Sequence, residues 1–119
     1  MIDIPSIDIM PKLKLNPLPS AAFQILLALA EGDLHGYAIM RLVEEQTGGR
    51  MRLGPGTLYS SIQTLLEEKL IEEIESGDER RRLYRLTGAG RKVAKAEADR
   101  MAEILRIARA KKIFRGEYV

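Results

Sequence analysis

A mainly α-helical chain with one small β-hairpin and a long final helix is the fold class that these 119 residues predict. Three observations lead there. Four stretches read as helix from apolar spacing and start and stop signals. One stretch, 82–86, alternates with period two behind a Ser-Gly-Asp-Glu turn. The last helical stretch repeats its apolar residues at intervals of four and three, the spacing of a helix–helix seam.

Length fits one small domain with a long element beyond it, and 45% apolar with 30% charged residues permits a modest core. There is no cysteine and one histidine, His35, which excludes disulfides, thiolate chemistry and a multi-histidine metal centre. No cofactor is expected. No apolar run is long enough to span a bilayer, and no secretion signal opens the chain, so a soluble cytoplasmic protein without membrane contact is expected. The net charge of +2 conceals a division: residues 1–79 balance at −7 and residues 80–119 at +9. Such asymmetry points to an anionic partner for the basic part, although a solvated Lys/Arg-rich helix accounts for it equally well.

Residues 1–18 carry Pro5, Pro11 and Pro17 and read as an extended arm. Ser20 is placed to cap a first helix running to about Glu31. That helix is apolar nearly all round, which suggests covering both by its own domain and by something else, with Phe23 and Leu27 as contacts to a second chain. Leu34-His35-Gly36 reads as a connector. A second helix spans about Tyr37 to Gln46, with Ile39, Leu42 and Val43 facing a core. Thr47-Gly48-Gly49 ends it, and a loop with Arg50 and Arg52 follows.

A third helix, 55–68, opens at Pro55, whose fixed backbone angle suits a first turn. Leu58, Ile62, Leu65 and Leu66 form its core stripe. The other face reads Thr57, Ser60, Ser61, Gln63 and Thr64. A face meant only for water is usually rich in Glu and Lys. Small hydroxyls and an amide instead allow close approach and offer donors and acceptors without repelling phosphate.

Leu70 to Glu75 and Arg82 to Leu86 form a hairpin, with Arg80, Arg81 and Arg82 at its turn end, a cationic probe that a monomer core does not need. Thr87 caps a last helix expected to reach Lys112, about 39 Å long. Its seam is Ala94, Ala98, Met101, Leu105 and Ala108, widened by Val93, Ile104 and Ile107. A helix this long overshoots the preceding domain, so its seam asks for a partner, most simply a second copy.

Three helices, a two-stranded wing and a long helix make the order of a winged helix-turn-helix (19–86) with an appended dimerisation helix (87–119). The residues go further. Ala30-Glu31-Gly32-Asp33-Leu34-His35-Gly36-Tyr37, Gly54-Pro55-Gly56-Thr57-Leu58-Tyr59 and Arg81-Arg82-Leu83-Tyr84-Arg85-Leu86-Thr87-Gly88-Ala89-Gly90 resemble three motifs of PadR-family transcriptional regulators, in order, over residues 22–91. The short C-terminal part is similar to the subgroup with a single long final helix. The resemblance implies a dimeric repressor of double-stranded DNA, with the third helix in the major groove and the wing on the adjacent backbone or minor groove. It implies that Tyr37 and Tyr59 lie near the DNA backbone, and that a small-molecule effector of unknown identity binds between subunits. Ser60, Gln63, Thr64 and Lys69 depart from the family pattern, Lys69 standing where a glycine is usual.

On this reading Thr57, Ser60, Ser61, Gln63 and Thr64 face the groove, and Arg50, Arg52, Arg80, Arg81 and Arg82 reach phosphates or the minor groove. A winged-helix module that binds an acidic protein instead remains the alternative. Enzyme motifs fail: the glycine-rich stretch before Thr57 lacks the Gly-Lys-Ser/Thr ending of a phosphate loop, and Gly88-Ala89-Gly90 lacks a third glycine at dinucleotide-binding spacing.

Overall fold

Why does an almost wholly apolar helix open the fold? In the computed structural model, which describes residues 18–77 and 80–113, helix α1 (Ser20–Ala28) runs through the middle of the core. Ala22, Phe23, Ile25, Leu26 and Ala28 are all buried, so the helix is covered on most sides by its own domain. Two further helices complete a helix-turn-helix around it: α2 (Gly36–Gln46) and α3 (Pro55–Glu67). Ile39 and Val43 from α2 and Leu58, Ile62 and Leu65 from α3 meet α1 in one cluster. Leu42 and Leu66 pack at its margin. The core stripe read from the spacing is the one the fold buries.

The capping of α1 differs from expectation. Ser20 is already helical, Pro19 holds the cap position, and no side chain caps the helix. Pro19 takes the cap position in extended backbone (φ −63, ψ 152), its φ fixed by the ring. The helix tightens into a 3₁₀ turn over Leu29–Glu31 before stopping at Gly32.

Leu34-His35 is not a plain connector. It is a short strand, β1, paired antiparallel with the wing: Leu34 opposite Tyr84 and His35 opposite Leu83. The wing strands are β2 (Ile71–Ile74) and β3 (Leu83–Leu86), and the sheet order is β1-β3-β2. The expected hairpin is thus the outer part of a three-stranded sheet. Two residues show no periodicity, which is why β1 escapes a pattern search. Outside its backbone ladder, Asp33 accepts two hydrogen bonds from Arg85, at 3.2 Å from Nε and 2.9 Å from Nη2. This fork-to-fork pair holds the strand's beginning to β3.

The turn after α3 carries the departure noted at Lys69. Its backbone has φ 62, the left-handed region usually given to glycine. Lys69 N–H bonds the Leu66 carbonyl and Leu70 N–H bonds the Leu65 carbonyl, both at 3.0 Å. Helix α4 (Gly88–Ala110) begins where expected, with Thr87 Oγ1 accepting from Gly90 N–H at 2.9 Å. The same hydroxyl donates to the Lys69 carbonyl at 2.8 Å, tying α4 to the end of α3.

Helix α4 stops at Ala110 rather than Lys112, because Lys112 takes a left-handed angle (φ 60) and its N–H turns back to Arg109. At 23 residues it is about 35 Å long. Its first half packs on its own domain through Gly90, Val93, Ala94 and Glu97. Glu97 is buried and paired with Arg100 one turn on. The second half leaves Met101, Ile104, Leu105 and Ile107 exposed. The arm expected over 1–18 lies, except for the buried Leu18, outside the described residues.

Candidate nucleic-acid interface

Helix α3 presents a polar, uncharged strip. Thr57, Ser60 and Gln63 are exposed, while Ser61 and Thr64 are half-buried. Packing Leu58, Ile62 and Leu65 inward fixes this outcome, since residues three and four apart share a face. Three of these side chains donate within their own helix. Ser60 Oγ donates to the Thr57 carbonyl at 3.3 Å, Thr64 Oγ1 to the Ser60 carbonyl at 3.1 Å, and Gln63 Nε2 to Glu67 Oε2 at 3.4 Å. The hydroxyls keep an oxygen able to accept, and the long Gln63–Glu67 bond is weak enough to exchange.

Beside this strip lies a cleft of about 300 Å³ between the wing and the start of α2, lined by His35, Gly36, Tyr37, Tyr59, Arg80, Arg81, Arg82 and Tyr84. It gathers residues from every element of the interface. Tyr37 is 62% exposed and Tyr59 49%. Arg41, which sequence reading did not single out, lies with its guanidinium 6.0 Å from the centre of the Tyr37 ring. Neither α2 nor α3 has a side-chain cap at its N-terminus. The positive end of each helix dipole therefore favours an anion.

Gly36 matters for a steric reason. The Tyr59 hydroxyl sits directly against its Cα, so that any Cβ there would collide with the phenol. Tyr84, by contrast, is only 2% exposed, and loss of water raises its phenol above the usual range. The two exposed tyrosines thus flank a third that belongs to the core.

The expected cationic residues divide. Arg50, Arg80, Arg81 and Arg82 are exposed. Arg52 Nε meets Glu44 Oε2 at 3.3 Å, and Arg82 Nη1 meets Glu73 Oε1 at 3.3 Å. Such solvent-exposed pairs contribute about 0–1 kcal/mol, too little to prevent either guanidinium from exchanging its carboxylate for a phosphate. Arg50 and Arg52 follow α2 in the loop leading to α3 and are not among the residues lining the cleft.

The expected subunit contacts divide as well. Phe23 is 6% exposed and serves the core, so it offers no surface to a second chain. Leu27 is 38% exposed. On α4, Ala98, Met101 and Leu105 are exposed and Ala94 and Ala108 half-buried.

A model of the transcriptional regulator PadR-like family matches residues 25–96, three motifs and the cleft included. The chain belongs to the PadR-like family. It is 42% identical over 84 residues, 71% of its length, to an uncharacterized 37.1 kDa protein in transposon TN4556 of Streptomyces fradiae. It spans about a quarter (24%) of that relative's length. Among solved structures it is similar to a transcriptional regulator from Clostridium thermocellum, with 27% identity, a TM-score of 0.65, and 75% of this chain and 89% of that one covered. It also shares its fold with a PadR family transcription regulator from Clostridium difficile R20291, at 21% identity, a TM-score of 0.67, and coverages of 77% and 97%. The sheet, the helix order and the long last helix are therefore those of PadR-like winged-helix proteins.

His35 and Gly36, which line the cleft, and Arg41, which lies by the Tyr37 ring, are the residues of this candidate site that sequence reading did not select. The signal for the first two was present: they sit inside the Leu34-His35-Gly36-Tyr37 stretch that carries the PadR resemblance. Their roles depend on β1, which the pattern does not reveal.

Proposed function

We propose that this chain is a homodimeric, sequence-specific DNA-binding regulator of transcription, a repressor that reads an operator with α3 and clamps the adjacent backbone with its wing. The observation that carries the reading is a shared helix: the α3 that bears the uncharged strip also carries Tyr59 into a cleft lined by Tyr37 and three wing arginines. A strip of amide and hydroxyl groups suits base edges, and flanking guanidinium groups suit phosphates. Membership of the PadR-like family supports it.

Dimerisation rests on α4. Met101, Ile104, Leu105 and Ile107 form an exposed apolar stripe along the half of the helix beyond the domain. A second copy of the same helix buries such a stripe about a two-fold axis and sets two α3 helices about one DNA turn apart, roughly 34–36 Å. An effector bound between the subunits, as the family resemblance implies, would stabilise the pair; a thermal-shift screen of aromatic acids that raised no melting temperature would remove it from the account.

The test separates positioning from reading. Arg81→Ala should weaken binding to all duplexes alike and reduce the slope of log affinity against log salt by about 1. Gln63→Ala should change the preferred sequence, with a loss of about 1–3 kcal/mol at one operator position. A Gln63→Ala protein that lost affinity equally for every sequence would refute base reading by α3.

A further inference from the structure

Arg41 leaves the acids nearest to it on its own helix. Glu44 and Glu45 follow it on α2 by three and four residues, a spacing at which side chains meet. Glu44 pairs instead with Arg52 at 3.3 Å, and among the described residues no ion pair includes Arg41. Its guanidinium lies 6.0 Å from the centre of the Tyr37 ring, one turn nearer the start of the helix. Two effects account for this. Side chains on an α-helix lean toward its N-terminus. An acid C-terminal to a cation is also the weaker order for an i,i+4 pair.

The ring that draws it is itself part of the cleft. Tyr37 is the second residue of α2, is 62% exposed, and lines the cleft with Tyr59 and the wing arginines. Its hydroxyl can donate to an anion, and the positive end of the α2 dipole lies within one turn of it. A cation beside an exposed ring is held weakly, so the guanidinium can turn to a stronger acceptor at little cost. Its planar fork of N–H donors matches the oxygens of a phosphate.

We propose that Arg41 is a DNA-backbone contact: when duplex DNA is bound, its guanidinium turns from the Tyr37 ring to the phosphate that accepts from the Tyr37 hydroxyl, and the two side chains hold that one phosphate between them. The inference rests on the DNA-binding reading above. It gives the backbone clamp a charged arm on α2 as well as on the wing. Such a contact fixes where the protein sits on the duplex and carries no base preference of its own.

The experiment uses the full chain and a mixed-sequence duplex of about 40 base pairs, with affinity measured by fluorescence anisotropy from about 50 to 200 mM salt. Arg41→Met, which keeps an unbranched stem and removes the charge, should lower the slope of log affinity against log salt by about 1 per chain bound. Arg41→Lys should restore that slope, which a merely structural role for the side chain would not produce. Tyr37→Phe should weaken binding in the wild-type background and weaken it less in Arg41→Met, because the two groups share one phosphate. An Arg41→Met protein with the wild-type slope, an Arg41→Lys protein with the slope of Arg41→Met, or additive losses in the Tyr37 and Arg41 cycle would overturn the shared contact and leave the DNA-binding reading standing. No duplex binding by the wild-type chain at any salt concentration would overturn both.

Discussion

The phenol of Tyr59 rests on Gly36: the hydroxyl at the start of α3 occupies the space that a side chain at the start of α2 would need. This contact joins the two helices of the helix-turn-helix at the mouth of the cleft and sets where the Tyr59 hydroxyl is offered. Gly36→Ala should displace the ring, and because the displaced atom is the far end of a half-exposed side chain, the cost in urea unfolding should stay below about 1 kcal/mol. In a Tyr59→Phe background, where the nearest atom is gone, the same change should cost less, so a double-mutant cycle should show coupling between the two positions.

A second glycine is required for a different reason. A Cβ on Gly90 would run into the Leu70 carbonyl and the Leu86 side chain, because the first turn of α4 lies directly on the backbone leaving α3. Gly90→Ala should destabilise by about 1–3 kcal/mol or more, since backbone cannot give way as a side chain can. Gly88, two residues earlier in the same helix, has open space around it. Gly88→Ala should be neutral or stabilise by up to about 1 kcal/mol through the unfolded chain. Thermal unfolding of the pair separates close approach from helix propensity.

Lys69 holds a left-handed backbone angle with a full side chain. That conformation costs an L-residue roughly 1–2 kcal/mol relative to glycine, so Lys69→Gly should raise stability by about 1 kcal/mol. The exposed side chain leaves little packing to lose. An unchanged or lowered unfolding midpoint would contradict the assignment.

Asp33 and Arg85 make the stability of the sheet depend on acid. The hydrogen bonds from Arg85, opposed by partial loss of water, hold the Asp33 carboxyl below the usual range. A folded-state value below the unfolded one contributes stability above the unfolded value, near 3.9, and that contribution is lost as pH falls through the folded value. Asp33→Asn should therefore melt earlier than wild type at pH 7, and the difference should close as the pH is lowered through the folded-state value of Asp33. A difference that persisted in acid would mean that the pair does not act through charge.

What the sequence made legible was whatever repeats over several residues. The α3 stripe of Leu58, Ile62 and Leu65, the alternation around Tyr84 and the Thr87 cap all carry local signals, and each stands in the fold as expected. Strand β1 has two residues and no period; it forms only because β3 passes beside it, so His35 read as a connector. Ser20 read as a cap because its type favours that role, but Pro19 holds the position. Phe23 and Leu27 are both apolar on one helix, and only packing decides that the first is core and the second surface. Within the interface, the α3 strip was readable from periodicity, whereas the cleft is assembled from three elements distant in sequence.

The central claim is that two copies of α3, held by paired α4 helices, enter neighbouring turns of one duplex. Hydroxyl-radical footprinting on a duplex selected by the protein from a randomised pool tests it most directly. Two protected patches related by two-fold symmetry and centred about one helical turn apart, with two chains bound per duplex, are the predicted result. A single unsymmetrical patch bound by one chain would contradict it.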